Sequence, residues 1–107
     1  SGVNRLGVQG SLSVANGATF AVSTSLCGAQ IIHVYETGSG SGAIYFANYA
    51  TATSILAQNG AIDFGTAASA NSYNLYKSNN SHAVTFQNNS GSTRSIQINV
   101  IGCSVTD

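Results

Sequence analysis

The sequence has very little charge. Charged residues make up 6% of the 107 positions, three of each sign, so the formal net charge is zero. Three cations are too few to build the basic face with which a protein neutralises nucleic-acid phosphates or anionic lipid headgroups. A net charge near zero also favours association between protein molecules. The composition therefore argues against nucleic-acid binding and favours an extracellular or virion protein that forms tight oligomers.

Proline, methionine and tryptophan are absent, and the only cysteines are Cys27 and Cys103. No uninterrupted apolar run is long enough for a transmembrane helix or a signal peptide, so no membrane insertion is expected. The cysteines form no CxxC motif or Cys/His cluster, which argues against zinc. They are either a disulfide that ties an early strand to the C-terminal end or two small buried apolar residues.

Glycine and asparagine supply the turns that proline does not. Turn signals such as Asn16-Gly17 and Asn59-Gly60 recur about every ten residues, which is typical of all-β domains. The segments between them alternate apolar and polar residues, most clearly in 29–37 and 93–101. The pattern predicts an all-β, two-sheet antiparallel sandwich, jelly-roll-like, with about eight or nine strands and little or no helix. Asn16-Gly17 in particular predicts a hairpin.

The alternation also predicts which residues face the core. We expect residues 11–107 to form one sandwich domain. Residues 1–10 are expected to be a lead-in from a missing upstream domain, beginning with Ser1-Gly2, which resembles a tag-cleavage remnant. The residues predicted to point inward between the sheets are Ile32, Val34, Ile44, Phe46, Leu75, Val84, Phe86, Ile96, Ile98 and Val100.

A second set of large side chains falls outside this core. Tyrosine offers a flat apolar ring and a hydroxyl group, which suits both subunit interfaces and stacking against sugars. The pattern leaves three alternatives open for this set: a surface between subunits, a sugar-binding platform or ordinary exposed surface. The candidate interface or glycan-contact residues are Ile31, His33, Tyr35, Tyr45, Tyr49, Tyr76 and Ile101.

The sequence gives little support for catalysis. Glycoside hydrolysis usually needs two carboxylates, for which the chain offers Glu36, Asp63 and the terminal Asp107. We interpret the first two as charges that prevent mispairing of edge strands. No GxSxG motif occurs. No catalytic, cofactor-binding or metal-binding residue is therefore predicted, and no enzyme activity is expected.

The last third of the chain resembles a known group of domains. The segment SYNLYKSNNSHAVTFQNNSGSTRSIQINVIG is similar to the C-terminal β-sandwich module of bacteriophage tailspikes and tail fibres. The segment AQIIHVYETGSGSGAIYFAN is similar to a hairpin of the same modules. The resemblance covers residues 10–103 and lies in the order of strand-like and turn-like segments, with no single diagnostic motif.

The resemblance implies a function as well as a fold. It implies a non-catalytic homotrimer that stabilises the end of a spike or fibre and contributes to binding of bacterial surface polysaccharide. An upstream domain of the same chain would then carry any polysaccharide-degrading activity. The protein would be assembled in the bacterial cytoplasm and act outside the cell as part of the virion. The alternative is a monomeric, lectin-like carbohydrate-binding module.

Overall fold

A computed structural model describes residues 7–8, 11–22, 29–48, 53–77 and 84–102 of the chain. These residues form ten strands joined by turns, and none of the described segments is a helix long and apolar enough to cross a membrane. Two of the strands are only two residues long, which accounts for a count above the predicted eight or nine. In chain order the strands are β1 (Gly7–Val8), β2 (Leu12–Val14), β3 (Thr19–Val22), β4 (Ala29–Glu36), β5 (Ser41–Asn48), β6 (Ser54–Asn59), β7 (Phe64–Gly65), β8 (Tyr73–Tyr76), β9 (Val84–Asn88) and β10 (Arg94–Gly102).

The strands form two sheets, as predicted. The six-stranded sheet has the order β1-β10-β4-β5-β6, with β2 also paired to β10. The four-stranded sheet has the order β3-β9-β8-β7. All pairs are antiparallel except the short pair β7–β8. Gly7 and Val8, which lie in the predicted lead-in, pair with Val100 and Asn99 of β10.

The predicted hairpin at Asn16-Gly17 is wrong, although the turn exists. Gly17 has the positive φ of 84° that a tight turn favours. The strands on either side, however, enter different sheets: β2 pairs with β10 and β3 pairs with β9. Asn88 holds this crossing together, because its side-chain amide donates to the Val14 carbonyl at 2.8 Å. A turn signal thus gives the place where the chain bends but does not give the strand that pairs next.

The core lies between the sheets and contains side chains from both. The six-stranded sheet contributes Ile32, Val34 and Ile96, and the four-stranded sheet contributes Leu75 and Phe86; all are buried. Burying one such side chain contributes roughly 1.5–3 kcal/mol before entropy is counted. Of the ten residues predicted to point inward, seven are buried and Val100 packs partly buried against them.

The prediction for β5 is wrong. Tyr45 is fully buried and its hydroxyl donates to the Gly65 carbonyl at 2.8 Å, whereas Ile44 and Phe46 lie on the opposite face of the strand. Both faces of β5 carry large apolar residues. The alternation therefore predicts a strand but does not determine which of its faces points into the core. Ala43, next to Tyr45 on the inner face, is small, and the large ring and its hydrogen bond fit the space between the sheets.

Candidate functional site: the outer face of the six-stranded sheet

The outer face of the six-stranded sheet forms a grid of side chains across β10, β4, β5 and β6, with one register shift between β5 and β6 at Ile44 and Tyr45. Strand register places each residue beside its neighbours in three rows. Residues on one face of a strand repeat every second position, so each row is about 7 Å from the next. In that strand order the rows are Ile101, Ile31, Phe46 and Ser54; then Asn99, His33, Ile44 and Ala57; then Gln97, Tyr35, Gly42 and Asn59.

One end of this grid is apolar. Ile44 and Ile101 are 39% and 41% exposed, and Ile31 and Phe46 are half-buried. We call these four residues the apolar patch. Scattered exposed apolar residues are ordinary, but contiguous ones on adjacent strands mark surfaces that are usually covered.

The other end of the grid holds a shallow groove of about 420 Å³. The floor of the groove is Gly42, and a Cβ atom added there would lie 3.2 Å from the backbone oxygen of Val34. A Cβ atom at this position would lie 3.6 Å from Cδ1 of Tyr35 and 3.8 Å from Nε2 of His33. The two rings therefore stand beside Gly42, with their centroids 6.4 Å apart. The residues that define the groove below are His33, Gly42, Ile44, Ala57, Gln58 and Asn59.

Two hydrogen bonds orient polar groups at the groove. The amide nitrogen of Asn99 lies 3.4 Å from Nδ1 of His33. This contact orients the His33 ring, and Nε2 is the ring nitrogen that lies near Gly42. On the β6 side, Oε1 of Gln58 accepts a hydrogen bond from the Phe64 backbone at 3.3 Å. This leaves the Gln58 NH₂ group as a donor.

The structure brings together four of the seven candidate residues. Ile31, His33, Tyr35 and Ile101 share this outer face, as the alternation predicted. Tyr45 is fully buried in the core and has no surface to offer a partner. Tyr76 is half-buried on β8 of the other sheet. Tyr49 lies outside the described residues, as do Cys27 and Cys103.

Sequence reasoning missed the β5 and β6 contributions to this face. Ile44 and Phe46 were assigned to the core, and the amides of Gln58 and Asn59 were not considered. One signal was present: Ala43 and Ala47 flank Tyr45 with small side chains, which is how a strand makes room for one large inward ring.

Glu36, the strongest acidic candidate, is part of the β4–β5 turn. It is only 2% exposed, on a central strand, so its interpretation as an edge-strand charge is wrong. Its carboxylate accepts backbone hydrogen bonds from Gly38 at 2.8 Å and Ser39 at 2.9 Å, and a further one from the Ser39 hydroxyl. Arg94 lies 4.0 Å away. Burial acts to raise the pKa of Glu36, but these hydrogen bonds and Arg94 outweigh it and hold the pKa below its ordinary value.

Asp63, the second acidic candidate, is exposed. Within the described part of the chain, His, Cys, Asp and Glu residues form no group of three that could hold a metal ion. A carboxylate already saturated by its own turn, as in Glu36, is poorly placed to act as an acid, a base or a metal ligand. The candidate site is therefore the outer face of the six-stranded sheet, which carries the apolar patch and the groove.

Comparison with known proteins gives no relative from which a role could be transferred. No family model matches the chain, and neither does any curated protein or solved structure.

Proposed function

We propose that the chain is a non-catalytic C-terminal domain of a phage tailspike or tail fibre that holds three copies of itself together through the apolar patch. The observation that carries the proposal is the exposure of Ile44 and Ile101 next to Ile31 and Phe46 on three paired strands. Moving such a surface out of water contributes about 25 cal/mol per Å². The nearly uncharged sequence removes the repulsion that would oppose contact between identical faces.

The proposal includes the setting of the domain. An upstream domain of the same chain would form the body of the spike, and the trimer would keep its three copies in register. The domain would then be part of the virion and would lie near bacterial surface polysaccharide. The use of Glu36 within its own turn supports a role without catalysis.

A monomeric carbohydrate-binding module is the second candidate. The groove at Gly42 favours it, because the groove combines apolar surface with the amides of Gln58 and Asn59. The two candidates share Ile44, but Ile31 and Ile101 belong only to the apolar patch and Gln58 and Asn59 only to the groove, so they are compatible in one protein.

The solution mass tests the first candidate. Light scattering coupled to gel filtration should give a mass near three times 10.8 kDa that persists on dilution. Ile31→Lys places a charge in the apolar patch and should give a monomer. Thr85→Lys is the matched control, since Thr85 is also half-buried and on a central strand, but of the other sheet. It should keep the mass of the unaltered protein.

The same experiment can contradict the proposal in two ways. A monomer at every concentration would rule out the trimer. A trimer that survives Ile31→Lys with native circular dichroism would show that the subunits meet elsewhere.

A further inference from the structure

We infer that the groove at Gly42 binds a neutral pyranose unit of a glycan. The inference rests on the carbohydrate-binding part of the proposed function and does not require the trimer. The volume of about 420 Å³ lies within the range of roughly 300–1,000 Å³ that is usual for small-molecule sites. A sugar ring differs from most ligands because it has an apolar C–H face and a rim of hydroxyl groups, so its site needs both kinds of surface.

The groove supplies the apolar surface. Gly42 leaves the backbone of β5 open, with Ile44 and Ala57 paired beside it on adjacent strands. Tyr35 is paired with Gly42 across β4 and β5, and its ring borders the floor at 3.6 Å from the position of a Cβ atom. The Tyr35 ring lies beside the groove and is not part of its lining, so Ile44 and Ala57 are the apolar surface against which the C–H face of a sugar can pack.

The groove also supplies hydrogen-bonding groups whose directions are fixed. Asn99 orients the His33 ring so that Nε2 lies next to the floor, where it can form a hydrogen bond with a sugar hydroxyl group. The Phe64 backbone holds Oε1 of Gln58, so its NH₂ group remains a donor. Asn59 is exposed at the end of β6 and offers both a donor and an acceptor. Fixed donors and acceptors cost less entropy on binding than mobile ones.

The charge of the groove selects among sugars. Among the described residues, those that line the groove include no Lys, Arg, Asp or Glu. A uronic acid or sialic acid would lose hydration of its carboxylate in the groove without meeting a cation. The site should therefore take neutral hexoses or N-acetylhexosamines and discriminate against acidic sugars.

The groove and the apolar patch share Ile44 but are otherwise made of different residues. Gly42 and Phe46 are four residues apart on β5, which corresponds to about 13 Å along the strand. Subunits that meet through Ile31, Phe46 and Ile101 can thus leave the Gly42 end of the sheet open.

Binding can be tested on the unaltered protein with defined probes. An array of neutral oligosaccharides built from glucose, galactose, mannose and N-acetylglucosamine should show binding, whereas matched oligosaccharides containing glucuronic or sialic acid should not. The neutral sugars that bind are then titrated at up to millimolar concentration, with amide chemical shifts as the readout. Shifts should appear first at Gly42, Ala57 and Asn59.

Two variants locate the site. Asn59→Ala and His33→Phe should each weaken binding about tenfold, the effect of losing one or two good hydrogen bonds. Gln97→Ala is the control, because Gln97 lies in the same row as Gly42 but two strands away from it, on β10. It should change the affinity less than twofold.

Three results would overturn the inference: no neutral sugar binding at millimolar concentration, equal or stronger binding of acidic sugars, or variants at Asn59 and His33 that bind like the unaltered protein. Measuring the solution mass in the same samples separates this inference from the trimer. A trimer that binds no sugar contradicts the groove alone, and a monomer that binds neutral sugar contradicts the trimer alone.

Discussion

The outer faces of the two sheets differ in how far other parts of the chain cover them. On the four-stranded sheet, a loop of the same chain, residues 66–72, lies against the outward side chains. Asn74 of β8 is fully buried there; its amide accepts from the Asn71 backbone at 3.0 Å and donates to the Asn71 carbonyl at 2.8 Å and to Gln87 at 2.9 Å. On the six-stranded sheet the outward side chains include Ile44 and Ile101, which remain about two-fifths exposed.

The loop on the four-stranded sheet depends on a glycine. A Cβ atom at Gly65 would lie 2.6 Å from the side-chain oxygen of Asn74 and closer still to that of Asn71. Only a residue without a side chain lets these amides approach the sheet. The loop therefore provides hydrogen-bond partners for outward side chains of the four-stranded sheet. The more apolar outer face of the six-stranded sheet has no such loop over it among the described residues. This difference is the physical reason for assigning binding to the six-stranded sheet.

The largest expected effect tests which side of β5 faces inward. Tyr45→Ala should lower the free energy of unfolding by about 3–5 kcal/mol, because it leaves a cavity and an unpaired Gly65 carbonyl. Ile44→Ala, its neighbour on the outer face, should cost less. If the protein is a trimer, the cost of Ile44→Ala should increase with protein concentration, since only the associated state buries that side chain. Urea unfolding at two protein concentrations measures both effects.

A larger loss in Ile44→Ala than in Tyr45→Ala at low protein concentration would reverse the faces of β5. It would remove Ile44 from both the apolar patch and the groove.

The second prediction compares two side-chain amides on the outer faces: Asn74, which is buried on the four-stranded sheet, and Gln97, which is half-buried on the six-stranded sheet. Asn74→Ala should cost about 2–4 kcal/mol, because it leaves groups of Asn71 and Gln87 without their partners. Gln97→Ala, on the open face and half-buried, should cost less than about 1 kcal/mol. Thermal unfolding of the two variants provides the comparison. Equal losses would mean that the loop over the four-stranded sheet contributes little to stability.

The third effect concerns Glu36, which closes the β4–β5 turn beside the groove. Glu36→Gln should cost about 1–3 kcal/mol at neutral pH, because hydrogen bonds to a charged acceptor are replaced by weaker ones. The pKa of Glu36 is held below its ordinary value of 4.5, so the ionised carboxylate stabilises the folded state above that pH. This contribution is lost as the pH falls through the folded-state pKa.

The stability difference between the unaltered protein and Glu36→Gln should therefore be constant near pH 7 and decrease below about pH 4.5. Urea unfolding at several pH values measures it. A difference that does not change with pH would mean that the Glu36 charge has no part in holding the turn.

Much of the fold followed from the sequence because alternation is a local property. The strands around Ile32 and Ile98 were placed with their correct inward faces, since each has only aliphatic residues on one side at its centre and polar or aromatic residues opposite them, with Ile31 and Ile101 as the exceptions. Pairing between distant segments is not local. The partners of β2 and β3 depend on where β9 and β10 lie, and the Asn16-Gly17 turn is compatible with either arrangement.

The candidate site was predictable only in part for the same reason. His33 and Tyr35 could be assigned to the outer face from their own strand, and the structure confirms that assignment. The groove needs Gly42 opposite Tyr35 and Asn59 opposite Gly42, which is set by the register of three strands. Glu36 was misjudged because a carboxylate before a Gly/Ser segment gives no local sign that the segment folds back to bind it.

The smallest expected effect is on the outer face of the four-stranded sheet. Ala21 is exposed on β3, an edge strand, and Ala21→Lys should change the free energy of unfolding by no more than about 0.5 kcal/mol. The oligomeric mass and the binding of neutral sugars should also be unchanged, because neither the apolar patch nor the groove includes this strand. Gel filtration with light scattering and a single sugar titration are sufficient measurements. If Ala21→Lys dissociated the protein and Ile31→Lys did not, the subunits would meet through the outer face of the four-stranded sheet. The different exposure of apolar residues on the two outer faces would then have no role in assembly.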